Sequence, residues 1–244
     1  MQSMDVKCCV VIVSAIREIL DAPCLEDQSL TNRSKLVRLS SVVRNQGAKT
    51  RGAGLRGGSL VEELWTGMLF EANPATFRSV AKPSDADYAF QSDPSKNVEV
   101  ISHKTVSFSG TGLLALAWSK NSSGENKTVF EAHVGILFFR KEETNPKRRF
   151  AGLKNGFYLI PSDYMNREVS HNLGSNNKTD SLINPTHTEL AMREALRNDC
   201  FIEIPYDDNW GVGKALDPWP KGLASVSTTH QPPAPKQLAD IAGS

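Results

Sequence analysis

The sequence predicts an α/β domain in which a central mixed β-sheet is flanked by helices. Residues 129–140 form an almost unbroken apolar run, which is typical of a buried strand. Residues 86–91 and 97–108 resemble two strands joined by a short turn at 93–95. Residues 59–71 instead repeat their apolar positions at helical spacing. Strands and helices therefore both contribute to one core.

Three helices are predicted from periodicity and from their end signals. The first ends near Ala22-Pro23, because proline cannot continue a helix. The second follows Gly57-Gly58, and Ser59 is suited to cap it. The third begins at a capping-box pattern made by Thr186 and Glu189. The predicted helices are 5–22, 59–71 and 186–197.

Two further strands are predicted in the second half of the chain. Residues 157–160 form one, ended by Pro161, and residues 200–204 form the other, ended by Pro205. Residues 113–118 are apolar but too short to assign, and residues 166–185 are polar and rich in turn formers. We expect the latter to be irregular.

Composition sets the class of protein and its compartment. The 244 residues have a net charge of +1, so any role on nucleic acid needs a local basic surface. No apolar run approaches the roughly 20 residues of a membrane span, and the four cysteines lack metal-site spacing. We expect a cytoplasmic protein with one domain over 1–224, comprising a helical and basic segment at 1–58 and a core at 59–205. A disordered tail would follow at 225–244.

The candidate catalytic residues lie between positions 84 and 105. Asp87 opens one strand, and Ser102 and Lys104 share one face of the next, because side chains alternate along a strand. The short turn then holds Asp87 beside Lys104, while His103 points to the other face and is expected to be a packed or a surface histidine and not a base. A carboxylate that binds a divalent cation, next to a lysine, is the grouping that phosphodiester hydrolysis needs.

This pattern resembles the PD-(D/E)xK nuclease superfamily, and type II restriction endonucleases in particular. The resemblance rests on Asp87-Tyr-Ala-Phe followed by Val-Glu-Val-Ile-Ser102-His-Lys104-Thr, and it covers roughly residues 55–205. It implies a restriction endonuclease-like fold and a bacterial or archaeal, Mg²⁺-dependent, site-specific deoxyribonuclease of a restriction-modification system. Asp87, Ser102, Lys104 and a second carboxylate, Glu63, would then be catalytic, and the enzyme would act on double-stranded DNA as a homodimer.

Ser102 departs from the pattern, because the superfamily usually has Asp or Glu two residues before the lysine. Some restriction enzymes have serine there and take the second carboxylate from elsewhere. By that resemblance Glu63, on the helix at 59–71, is the preferred metal ligand beside Asp87. Glu99 on a bulged strand and Asp85 are the alternatives.

Two polar segments are candidates for contact with DNA. The glycine-rich stretch 44–58 carries cations that lead into a helix start, where phosphate is favoured. The segment 176–178 offers amides that pair with adenine in the major groove. The predicted DNA-binding residues are Arg44, Lys49, Arg51, Arg56, Asn176, Asn177 and Lys178.

Two other functions share these residues. Because Ser102 replaces a carboxylate, the chain is alternatively a non-catalytic DNA-binding module on a decayed nuclease fold. A repair or mobile-element nuclease without strong sequence preference would use the same chemistry.

Overall fold

A computed structural model of the chain describes residues 3–25, 27–38, 53–80, 86–106, 116–119, 129–139, 145–147, 149–176 and 180–205. The helices there are α1 (Met4–Asp21), α2 (residues 32–38), α3 (Ala53–Ala72), α4 (Ser162–Tyr164) and α5 (Pro185–Arg197). The strands are β1 (Phe77–Ser79), β2 (Tyr88–Phe90), β3 (Glu99–Val106), β4 (Leu116–Ser119), β5 (His133–Phe138), β6 (Gly156–Ile160), β7 (Leu173–Asn176), β8 (Asp180–Ile183) and β9 (Phe201–Glu203).

A mixed six-stranded sheet runs in the order β1-β2-β3-β5-β6-β9. Only β3 and β5 are parallel neighbours; the other adjacent pairs are antiparallel. Strands β5 and β6 are buried along their whole length, as expected for central strands. The predicted α/β class and mixed sheet are therefore confirmed.

Helices cover both faces of this sheet. On one face Trp65 of α3 stacks on Phe157 of β6, with ring centroids 4.7 Å apart. Tyr158 points to the opposite face because side chains alternate. Helix α5 packs against β6, and burial raises the pKa of Tyr158 on this second face.

The five predicted strands are present as β2, β3, β5, β6 and β9; four of them are shorter than predicted, and β6 begins one residue earlier than predicted. The apolar segment 113–118, which was too short to assign, overlaps β4. The prediction of irregular structure at 166–185 is wrong. A π-helical turn (Met165–Val169) follows α4, and β7 and β8 form a hairpin that pairs with β4. These strands are largely polar, so they lack the apolar pattern that marks a strand in sequence.

Helix α1 is as predicted, but the starts of the other two long helices are not. Helix α3 begins at Ala53, so Gly57-Gly58 do not interrupt it. Each glycine costs a helix about 1 kcal/mol, and burial of Val61, Trp65 and Leu69 compensates. Helix α5 begins at Pro185, and its cap is the residue before, Asn184, in place of Thr186.

The cap of α5 shows why the shift occurs. The Asn184 side chain accepts hydrogen bonds from the backbone N–H groups of Thr186 (3.0 Å) and His187 (3.1 Å). Pro185 suits the first helical position, because its φ is already helical and it has no N–H to satisfy.

None of the helices in the described ranges has the length and apolarity of a bilayer-spanning segment.

Candidate functional site

Strand β3 extends beyond its neighbour β2. Tyr88, the first residue of β2, lies opposite Ile101, so residues 102–106 of β3 continue past that point beside β5 alone, as far as the described residues show. We call this side of residues 102–106 the open side of β3. Backbone N–H groups that face it need acceptors other than a strand.

Two carboxylates supply those acceptors. The N–H of His103 donates to Oδ2 of Asp87 at 2.5 Å, and the N–H of Thr105 donates to Oε1 of Glu62 at 2.9 Å. One carboxylate comes from the residue before β2 and the other from helix α3. The open side of β3 therefore brings two acidic side chains from different elements next to each other.

Asp87 is fixed by its own backbone as well as by its side chain. Its N–H donates to the carbonyl of Ile101 at 2.8 Å, which continues the β2–β3 ladder by one residue. The Ser102 hydroxyl, on a residue only 1% exposed, lies 3.5 Å from Oδ2 of Asp87 and donates to it weakly. The structure thus brings Asp87 and Ser102 together, as the sequence predicts.

The electrostatics of Glu62 link it to Asp87 and Lys104. Burial raises the pKa of Glu62, and the Asp87 carboxylate raises it further. The Lys104 ammonium and the Thr105 N–H act in the other direction and lower that pKa. Lys104 lies in β3 between His103 and Thr105, whose N–H groups bind the two carboxylates, so one lysine and two carboxylates are grouped at the open side of β3.

The helical carboxylate in this cluster is Glu62 and not Glu63, whose side chain is exposed. The apolar stripe of α3 shows why. Val61, Trp65 and Leu69 are fully buried, and at 100° per residue position 62 lies on the flank of that stripe, whereas position 63 lies opposite it. This phase is set by how α3 packs on the sheet, so the apolar pattern in the sequence did not by itself select Glu62.

Glu99, another candidate ligand, is engaged elsewhere. Its Oε2 lies 3.2 Å from Nε2 of His133, while Nδ1 of His133 accepts a hydrogen bond from the Ser162 N–H at 3.0 Å. Because Nδ1 is an acceptor, the neutral ring carries its proton on Nε2 and donates it to Glu99. Asp85, the third candidate, lies outside the described residues.

His103 packs on the face opposite Lys104, as expected from alternation. It is 1% exposed and stacks on Trp65 and Phe157, with ring centroids 5.6 and 6.0 Å away. Neither ring nitrogen has a partner among the described residues. Burial lowers the pKa of His103 to about 3, and the Lys104 charge adds to that effect. The imidazole is therefore neutral and belongs to the core.

Most of the predicted DNA-contacting residues cannot be placed. Arg44, Lys49, Arg51, Asn177 and Lys178 lie outside the described residues, as does the predicted tail at 225–244. Arg56 falls within α3 and Asn176 within β7.

Across the described ranges, no group of three or more histidine, cysteine, aspartate or glutamate side chains is arranged to hold a metal ion. The cluster at β3 instead offers two carboxylates. Both hydrogen bonds of Asp87 end on Oδ2 and that of Glu62 ends on Oε1, so within the described part of the chain Oδ1 and Oε2 accept none. Such oxygens suit Mg²⁺, which is often held by one or two carboxylates together with substrate phosphate.

Comparison of the chain with protein-family models, with curated proteins and with solved structures gives no match.

Proposed function

We propose that this chain is a Mg²⁺-dependent nuclease that hydrolyses phosphodiester bonds in double-stranded DNA. The observation that carries the proposal is the convergence of Lys104, Asp87 and Glu62 at the open side of β3. A lysine beside two carboxylates from separate elements is the minimal set for this chemistry. Glu62 takes the ligand role for which the sequence pattern suggested Glu63.

The roles of the residues follow from their charges and contacts. Asp87 and Glu62 would hold the cation, which supplies charge neutralisation at the phosphate and a more acidic bound water. Lys104 carries a positive charge on Nζ, which stabilises the negative charge that grows on the phosphate oxygens. Ser102 would keep Asp87 oriented through its hydroxyl.

Within this class we propose a site-specific enzyme of the type II restriction kind, with a restriction endonuclease-like fold. This finer proposal is supported by the resemblance around Asp87, Ser102 and Lys104. A homodimer is its natural form, since a palindromic site calls for two-fold symmetry. A nuclease with little sequence preference uses the same residues and differs only in its products.

One observation favours a second function, a DNA-binding module without catalysis. Both carboxylates already accept backbone hydrogen bonds from β3, so they satisfy the open side of that strand even without a metal. In that case Asp87 and Glu62 are structural caps, and Ser102 marks a lost ligand.

Plasmid DNA incubated with the protein and Mg²⁺, and in parallel with EDTA, separates these functions. Discrete fragments that need Mg²⁺ support the site-specific nuclease, and a smear supports the non-specific one. Retarded but uncut DNA supports the binding module.

The Lys104→Ala variant tests the site itself. We expect its cleavage rate to fall about 100-fold or more while DNA binding is retained. Lys96→Ala is the matched control, because Lys96 lies in an exposed turn before β3. Cleavage by Lys104→Ala at the parental rate would mean that the active site lies elsewhere.

A further inference from the structure

A cleft of about 430 Å³ lies beside β9, which is the last strand of the central sheet on the side away from β1. Three cations from three parts of the fold line it: Arg17 of α1, Arg33 of α2 and Lys154 before β6. Its apolar lining is provided by Leu196, Phe201 and Ile202. The candidate nuclease site at β3 uses none of these residues.

Both guanidinium groups are held in place by the backbone of β9. Arg17 donates from Nη2 to the carbonyl of Phe201 at 3.2 Å, and Arg33 donates from Nη1 to the carbonyl of Glu203. Arg33 is also fixed to Oδ1 of Asp21, through Nε at 2.9 Å and Nη2 at 2.7 Å. Side chains already ordered in this way lose less entropy when they bind a ligand.

These contacts leave donors on both arginines. A guanidinium has five N–H donors, and Arg17 uses one of them within the described residues. A planar guanidinium is well matched to phosphate oxygens, and two from different helices can contact different oxygens of one group. The apolar lining beside them suits a sugar or a base more than a fully hydrated inorganic ion.

Among the described residues, Glu203 is the one acidic side chain that lines the cleft. Its Oε2 pairs with Nζ of Lys154 at 2.7 Å, but the two side chains are 54% and 59% exposed. Such an exposed pair contributes little to stability, so an anion can replace Glu203 as the partner of Lys154. Glu203 then opposes anion binding, and removing its charge should strengthen it.

We propose that this cleft binds the phosphate group of a nucleotide, either free or within a nucleic-acid backbone. Arg17 and Arg33 hold the phosphate, Lys154 adds charge, and Phe201 contacts the attached nucleoside. The inference does not depend on nuclease activity, because binding here requires neither Asp87 nor a metal.

Calorimetric titration of the full chain in EDTA tests the proposal with three probes: inorganic phosphate, a deoxynucleoside 5′-monophosphate and a short DNA duplex. EDTA prevents cleavage, so failure of the nuclease proposal leaves this result readable. We expect Arg17→Ala to weaken binding about tenfold or more and Glu203→Gln to strengthen it. Arg197→Ala is the matched control, since Arg197 is 72% exposed on α5 and does not line the cleft.

Tighter binding of the monophosphate than of inorganic phosphate, lost in Arg17→Ala, supports a free nucleotide. Binding of the duplex alone, with the same loss, supports a backbone phosphate. Lys154→Gln changes a side chain that is 59% exposed and serves as a second variant if Arg17→Ala melts early. Absence of saturable binding to any probe, or equal affinities for Arg17→Ala and Arg197→Ala, would overturn the proposal.

Discussion

At the open side of β3, backbone N–H groups of His103 and Thr105 are met by carboxylates, whereas at the outer side of β9 backbone carbonyls are met by guanidinium groups. Both arrangements complete the hydrogen bonding of a strand that, in the part of the chain the structure describes, has no neighbouring strand on one side. They use opposite charges, because the carboxylates at β3 accept from N–H groups, whereas the guanidinium groups at β9 donate to carbonyls; an open strand edge presents both kinds of group.

The difference has consequences for what each region attracts. The carboxylates of Asp87 and Glu62 retain acceptor oxygens and favour a cation, while Arg17 and Arg33 retain donors and favour an anion. The environments differ too, since burial raises the pKa of Glu62 while the side chain of Asp21, the partner of Arg33, is 57% exposed. Removing a charged group at β3 should therefore change activity and stability more than removing one at β9.

The largest expected effect concerns the two adjacent glutamates of α3. Glu62→Gln removes the charge but keeps an oxygen for the Thr105 N–H, so the fold should persist while Mg²⁺-dependent cleavage falls at least about 100-fold. Glu63→Gln is the matched control and should cleave as the parent does. Plasmid cleavage time courses measure both. Equal loss of cleavage in the two variants would show that any change in this part of α3 impairs the enzyme and that the Glu62 carboxylate has no specific role.

The second effect is on stability and arises from the buried face of β3. His103 has a pKa of about 3 in the fold against an ordinary 6.5. The unfolded chain therefore binds a proton below pH 6.5 that the folded chain refuses until pH falls to about 3. This contribution to stability is complete above pH 6.5 and is lost at about 1.4 kcal/mol per pH unit below it.

His103→Phe should remove that loss, because phenylalanine stacks on Trp65 and Phe157 but does not titrate. Urea unfolding at about pH 7 and about pH 5 measures it; the parent should lose about 2 kcal/mol more than the variant does. His171→Gln, at an exposed position, should behave as the parent. If the parent and His103→Phe lose the same free energy of unfolding between these two pH values, the imidazole is not buried without a partner.

A smaller effect separates capping from metal binding at Asp87. Asp87→Ala leaves the partly buried N–H of His103 without its acceptor, which should cost about 1–2 kcal/mol in urea unfolding. Asp87→Asn keeps an oxygen there and should cost less than half of that. Both variants should fail to cleave DNA. If Asp87→Asn cleaves normally, Asp87 is only a cap.

The smallest effect is expected at β9. Arg17→Ala removes one exposed hydrogen bond to the Phe201 carbonyl, which water can replace, so stability should change by about 0.5 kcal/mol or less. Thermal melting measures this against Arg197→Ala. A loss of stability as large as that of Asp87→Ala would show that the side-chain contact at β9 contributes as much to the fold as the one at β3.

The sequence predicted the part of the site that depends on local rules. Asp87, Ser102 and Lys104 are joined by a short turn and by alternation along a strand, and both rules act within a few residues. The same locality explains why β5 and β6, with continuous apolar runs, were found from sequence.

The rest depended on phase and on tertiary partners. Choosing Glu62 over Glu63 needed the rotation of α3 against the sheet, which its buried stripe sets. Strand β8 pairs with β4 on one side and with β7 on the other, and β7 and β8 carry little apolar pattern. Glu99 is engaged by His133, and the other ring nitrogen of His133 accepts a hydrogen bond from the Ser162 N–H. These three residues are far apart in the sequence, so only the folded structure shows this contact.

The central claim is that Glu62 and Asp87 share one divalent cation at the open side of β3. Titration with Mn²⁺, followed by the electron paramagnetic resonance signal of the free ion, tests it without requiring DNA or turnover. The account predicts saturable binding by the parent and by Glu63→Gln, and much weaker binding by Glu62→Gln and Asp87→Asn. Equal binding by the parent and all three variants, or none by the parent, would contradict it.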